Sequence, residues 1–153
     1  MKTTILIQEK TFEATRKSMK DNQNKTIIFS SDDDELNRKV LEKEIIQILL
    51  LNQTNRKDYS KQRNSGFNQV MAKIVKKNKI NLGINLDEII SSKPKQKAEI
   101  LARIKQNIKL CNKNNLPIVF VGKIQKEIYD LKALGLVLGI STKISSTMKY
   151  LNL

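Results

Sequence analysis

Five short runs of β-branched and aliphatic residues, separated by longer helix-like stretches, set the first constraint on the fold. They are Thr4–Ile7, Thr26–Phe29, Ile45–Leu50, Ile80–Ile84 and Ile118–Val121. Each has strand length and none alternates apolar with polar, the pattern of parallel strands covered on both faces. The stretches between them carry helical periodicity. From Gly66 to Lys77 the apolar positions are Phe67, Val70, Met71, Ile74 and Val75, the i, i+3, i+4, i+7, i+8 stripe of a core-facing helix. From Pro94 to Asn112 the stripe is Ile100, Leu101, Ile104, Ile108 and Cys111, with Arg103, Lys105, Lys109 and Lys113 expected to turn outward. Ile128–Ile140 is apolar almost all round and contains Gly135, so burial between neighbours with a close contact at the glycine is expected. Ser141–Leu153 can start a helix at Ser141 and carries Ile144, Met148 and Leu151, which would pack back on the sheet.

Alternating β and α segments imply an α/β fold with right-handed crossovers. By length, residues 1–153 make a single domain. Five strands are too few to close an eight-stranded barrel, so the expectation is an open sheet or a barrel lacking part of its wall.

Charge narrows the partners. Lys and Arg number 29 against 15 Asp and Glu, a formal charge of +14. Such a field attracts polyanions, either nucleic acid or an anionic membrane surface. Codon bias would explain Lys over Arg but would also enrich Glu, which is not abundant. No apolar run is long enough to cross a bilayer and the N-terminus lacks a signal peptide's apolar core, so an intracellular protein is expected. The single cysteine, Cys111, excludes an internal disulfide and reads as a buried core thiol. No histidine is present, which removes imidazole bases, Ser–His–Asp catalysis and thiolate/imidazole metal sites. No Walker-type or GxGxxG loop follows any strand.

Two polar clusters remain. Asp32, Asp33, Asp34 and Glu35 follow the second strand, where they either hold Mg²⁺ through oxygens or cap a helix. Asn52–Arg63, reading NQTNRKDYSKQR, follows the third strand and places Arg56, Lys57, Lys61 and Arg63 around Tyr59. Loops after strand C-termini form the binding face of α/β sheets and barrels. Here the charges suit phosphates, and the hydroxyl and ring suit sugar or base. Ser65 and the helix start after it offer backbone N–H groups to a phosphate. Lys123 and Lys126, and Lys93, Lys95 and Lys97, are expected on the same face, with Lys76, Lys77 and Lys79 opposite.

Three pieces, in order, carry a family resemblance. RKD (Arg56–Asp58) with NSGFNQVMAKIVKKNKINLGINLDEII (Asn64–Ile90), LARIKQNIKLCNKNNLPIVFVG (Leu101–Gly122) and YDLKALGLVLGIS (Tyr129–Ser141) together resemble ribonuclease P protein component 3. The resemblance covers roughly residues 26–146, most closely from Arg56 onward. It implies a partial or reduced TIM-barrel-like fold related to metal-dependent phosphoesterases, with about five parallel strands and helices outside. It further implies a subunit that is no enzyme on its own. The particle's RNA would remove the 5′ leader of precursor tRNA using Mg²⁺ held on the RNA, with no cofactor on the protein. Implied partners are the ribonuclease P RNA, precursor tRNA indirectly, and protein component 2, with no membrane. The location would be cytoplasmic in an archaeon or nuclear in a eukaryote. On this basis Arg56, Lys57, Tyr59, Lys61, Arg63, Ser65 and Lys123 are the candidate RNA contacts. The chain departs from the family pattern in starting near the third strand, in Asn64 and Gln69, and in a short loop between Val121 and Tyr129, and an exposed sheet edge is expected. The alternatives are a Mg²⁺-dependent phosphoesterase of the same lineage using Asp32–Asp34, and an assembly protein with incidental charge.

Overall fold

The computed structural model describes residues 2–153. In chain order the elements are β1 (Thr4–Ile7), α1 (Phe12–Asp21), β2 (Thr26–Phe29), α2 (Asp34–Lys43), β3 (Ile48–Leu50), α3 (Gln69–Lys77), β4 (Asn81–Asn85), α4 (Leu86–Ser91), α5 (Pro94–Asn114), β5 (Ile118–Gly122), α6 (Ile128–Leu138), α7 (Thr142–Thr147) and β6 (Lys149–Asn152). The strands form one sheet in sequential order β1 to β6, and every neighbouring pair is parallel. Helices connect them, as parallel pairing requires.

The sheet is buried on both faces, and the strand period of two sorts its side chains. Ile27, Phe29, Leu49, Leu82, Ile118 and Phe120 join the main core under the helices. Ile28, Ile48, Leu50, Val119 and Val121 form a second cluster on the other face. Leu6 of β1 and Leu151 of β6 both pack against that second cluster, so the sheet curls and its two end strands share one interior. Gly83 makes room there. A Cβ on it would stand 3.0 Å from Ile48 Cγ2 and 3.1 Å from Leu50 Cδ1. The result is a curled parallel half-barrel with helices outside, and its free edges are β1 and β6.

Local chemistry sets the helix ends. Thr11, Asp33, Asn68, Asn85 and Ser141 each accept backbone N–H bonds as N-caps. Pro94 opens α5, and left-handed Asn115 and Gly139 close α5 and α6.

The structure corrects five expectations. There are six strands rather than five, because Ser141–Leu153 is a short helix followed by β6. β3 begins at Ile48, and Ile45 is exposed in the turn before it. Val70 lies at the solvent side of α3, since Phe67 precedes the helix and shifts the buried face to Met71, Ala72 and Val75. Arg103 does not turn outward; it is buried against the loop after β3. α6 buries only Leu131, Gly135 and Leu138, leaving Tyr129, Leu136 and Val137 in solvent. The close contact at Gly135 is present, with a Cβ there meeting Ile140 Cδ1 at 3.0 Å.

Candidate nucleic-acid interface

The loop from Leu51 to Asn68 leaves the C-terminal end of β3 and is long, polar and short of apolar anchors. Ionic and hydrogen-bonded contacts from three helices fix it instead. From α5, Arg103 reaches in with its side chain only 4% exposed. Its Nε donates to Asp58 Oδ1 at 2.9 Å, Nη1 to the Gln53 carbonyl at 3.1 Å, and Nη2 to the Arg56 carbonyl at 2.9 Å. From the start of α2, Asp34 takes a bidentate pair from Arg56, both bonds at 2.9 Å, while Arg56 Nε donates to the Asn52 carbonyl at 2.7 Å. From α4, Glu88 accepts from the backbone N–H groups of Gln53 and Thr54 and from the Thr54 hydroxyl.

Asp58 is the hub of the outer half. It also accepts from the Asn64 N–H at 2.9 Å and from Arg63 Nη1 at 3.3 Å. The Arg103 hydrogen bond, then the Asn64 N–H, hold its carboxyl below the usual carboxylate range against the opposing effect of burial. Gly66 closes the loop at φ +73°, and a Cβ there would fall 2.5 Å from Arg56 Nη2. Both backbone and space therefore require glycine at this position.

The candidate contacts separate into two groups. Arg56 has a 9% exposed side chain and is spent on Asp34 and Asn52. Ser65 is buried, with its hydroxyl donating to the Phe67 carbonyl and accepting from Gln106. Lys57, Tyr59 and Lys61 project into solvent, and the Arg63 side chain is 48% exposed. Lys123 follows β5, and its backbone N–H donates to both Asp87 oxygens while its side chain is exposed. Lys57, Tyr59, Lys61, Arg63 and Lys123 thus lie on loops leaving the strand C-termini.

The acidic cluster has other duties. Asp33 caps α2 by accepting from the N–H groups of Glu35 and Leu36, and Asp34 binds Arg56. Among the described residues no group of three or more carboxylate or thiol side chains is placed to hold a metal ion. At the centre of the face stands an uncharged ladder, in which Asn85 Nδ2 donates to Asn52 Oδ1 and Asn52 Nδ2 donates to Ser30 Oγ. Cys111 is fully buried, and burial pushes its thiol up to about 12. The sequence reading missed Arg103, Asp58, Glu88 and Gln106. The RKD triplet contained one of them, but the partners of that aspartate lie up to 45 residues away.

No protein-family model matches the chain. It is 25% identical over 146 residues to ribonuclease P protein component 3 of Methanococcus maripaludis, covering 94% of this chain and 60% of that protein. To the protein of the same name from Methanococcus vannielii it is 28% identical over 112 residues, covering 73% of this chain and 46% of the relative. To that of Methanosarcina mazei it is 31% identical over 98 residues, covering 64% and 38%. A chain of the cryo-EM structure of archaeal ribonuclease P with mature tRNA superposes with a TM-score of 0.77 at 21% identity, over 94% of this chain and 64% of that one. That likeness is one of fold. The chain spans about 60% of the length of the first of these relatives. Along nearly all of its length, then, this chain is similar in sequence to proteins named ribonuclease P protein component 3.

Proposed function

We propose that this chain serves as a protein subunit of the ribonuclease P ribonucleoprotein, is not a catalyst itself, and helps hold the RNA that removes the 5′ leader from precursor tRNA. The observation that carries this is the sequence likeness to ribonuclease P protein component 3 over 94% of the chain. The strand-end face supports it, with exposed cations and a tyrosine beside carboxylates already spent on capping and ion pairs. Lys57, Lys61, Arg63 and Lys123 make phosphate contacts and Tyr59 contacts sugar or base. Arg56 shapes the loop that presents them, and Ser65 stays beneath it. Mg²⁺ acts on the RNA. A further partner is ribonuclease P protein component 2.

The test is binding of the purified chain to ribonuclease P RNA of Methanococcus maripaludis across a salt series. Affinity falls steeply with salt, and Lys57→Gln with Lys61→Gln flattens the logarithmic slope by roughly 1.4 to 1.8, the release of two phosphate contacts. Unchanged affinity and slope in that variant would remove the loop from the interface. Metal-dependent cleavage of a phosphate ester by the chain alone, abolished in an Asp32/Asp33/Asp34→Asn variant, would overturn the non-catalytic reading.

A further inference from the structure

Beside the clamped loop lies an open cleft of about 590 Å³, bounded by the loop, the start of α2 and the middle of α5. Its volume falls in the range of small-ligand sites, roughly 300 to 1,000 Å³. Its floor is apolar, built from Phe67, Met71 and the half-buried Leu110. Tyr59 stands at the rim, 60% exposed, and its backbone N–H donates to the Gln62 carbonyl. The side-chain amides of Gln62 and Asn64 line the same opening, and among the described residues neither makes a hydrogen bond.

Charge divides the cleft into two ends. At the α2 end stand Glu35 and Arg38, and Arg38 is already paired with Glu42 at 2.9 Å. At the α5 end stand Arg63, half-exposed and 3.3 Å from Asp58, and Lys109, which is exposed with no ion pair among the described residues. An apolar floor, an exposed aromatic ring, free amides and cations at one end form the set of groups that a nucleotide uses. The ring and floor take the base faces, the amides take its edge, and the cations take its phosphate.

We infer that this cleft holds one unstacked nucleotide of a single-stranded RNA segment, its base against Tyr59 and its phosphate toward Arg63 and Lys109. The inference rests on the RNA-binding reading above and adds to it a local preference for unpaired RNA. A base inside a duplex cannot enter, because both of its faces are already stacked.

The test measures fluorescence anisotropy of a labelled ten-nucleotide oligoadenylate and of a twenty-base-pair RNA duplex, with the intact chain and with Tyr59→Ala and Lys109→Gln. Thermal melts establish that these surface variants remain folded. The decamer binds more tightly than the duplex at equal salt. Tyr59→Ala weakens the decamer about tenfold, within the range of base–aromatic stacking, and leaves its salt slope alone. Lys109→Gln flattens that slope by roughly 0.7, the value of one single-strand phosphate contact. If Tyr59→Ala leaves decamer affinity unchanged while the Lys57/Lys61 variant weakens RNA, the cleft assignment fails and the RNA-binding reading stands. AMP competing as well as the decamer would make this a free-nucleotide site and overturn the inference. Failure of every RNA, the ribonuclease P RNA included, would remove both.

Discussion

Two loops leave the same end of the sheet and are held in opposite ways. The long one after β3 depends on its own side chains: Arg56 pairs with Asp34 of α2 and Asp58 with Arg103 of α5, beside the backbone groups that Glu88 of α4 takes. The short one after β5, Lys123–Glu127, depends on its backbone. The Lys123 N–H donates to Asp87, and the Ile124 carbonyl accepts from the Tyr150 hydroxyl of β6. Burial first, and the Asp87 charge second, raise the Tyr150 phenol above its usual range, so this donor keeps its proton. A short connection has few backbone groups to satisfy. A long polar one, pressed against the protein, needs partners for each buried carbonyl, and a buried guanidinium supplies several at once. The difference teaches that the cations around this loop are divided by role: Arg56 of the loop and Arg103 of α5 build the platform, and the lysines with Arg63 face outward.

The sharpest way to break the comparison is Arg103→Met. It leaves the solvent-accessible Asp58 carboxylate without its main partner and removes the donor from two carbonyls at the buried end, so a loss of about 2 to 4 kcal/mol is expected in denaturant unfolding. Arg103→Lys recovers only part of this, because an ammonium lacks the planar fork that meets Asp58, Gln53 and Arg56 together. Full stability in the lysine variant would show that the site needs only charge.

Next in size is a change beneath both loops. Gly83→Ala puts a methyl 3.0 Å from Ile48 and 3.1 Å from Leu50 inside the curled sheet, where overpacking costs typically 1 to 3 kcal/mol. In an Ile48→Ala background, which lacks the Cγ2 that the new methyl meets, the same substitution should cost less. If it does not, the interior is looser than the contact distances require.

Acid separates the two loops more gently. Asp58 has its carboxyl held below the ordinary aspartate value of 3.8 in the folded state, so its contribution is complete above that value and is lost as pH falls through the lower, folded one. The loop after β3 should therefore loosen only below about pH 4. Asp58→Asn should flatten this part of the pH–stability curve. The chain contains no histidine, so a stability change between pH 5 and 8 attributed to either loop would contradict the structure.

Sequence patterning conveyed the two loops unequally. The strands were legible because burial on both faces selects β-branched residues, and β1 and β2 fall on the predicted spans. β6 was not, since Lys149 and Asn152 at this free edge are exposed and the run has no apolar signature. Arg103 was misplaced because helical periodicity assigns a charge to solvent unless its partner is known, and Asp58 lies 45 residues earlier. The outer face of α6 was misjudged for the converse reason. Exposed Tyr129, Leu136 and Val137 carry the same apolar signal as buried residues, and composition does not separate the two. The basic loop itself was legible, but the division of its cations into paired and exposed depended on tertiary contacts.

The smallest expected effect tests the backbone-held loop. Lys123→Gln removes an exposed charge but keeps the N–H that donates to Asp87, since any residue except proline supplies that donor. Stability should change by less than about 0.5 kcal/mol, as for other surface substitutions. Asp87→Ala acts on the same spot from the other side. It frees the Lys123 N–H, and it opens space beside Gly122, whose hypothetical Cβ would lie 3.1 Å from Asp87 Oδ1. The expected cost is about 0.5 to 1.5 kcal/mol, the net worth of a hydrogen bond whose exposed donor can turn to water. If Lys123→Gln proves as costly as Asp87→Ala in the same unfolding experiment, the side chain rather than the backbone holds the loop after β5, and the contrast with the loop after β3 disappears.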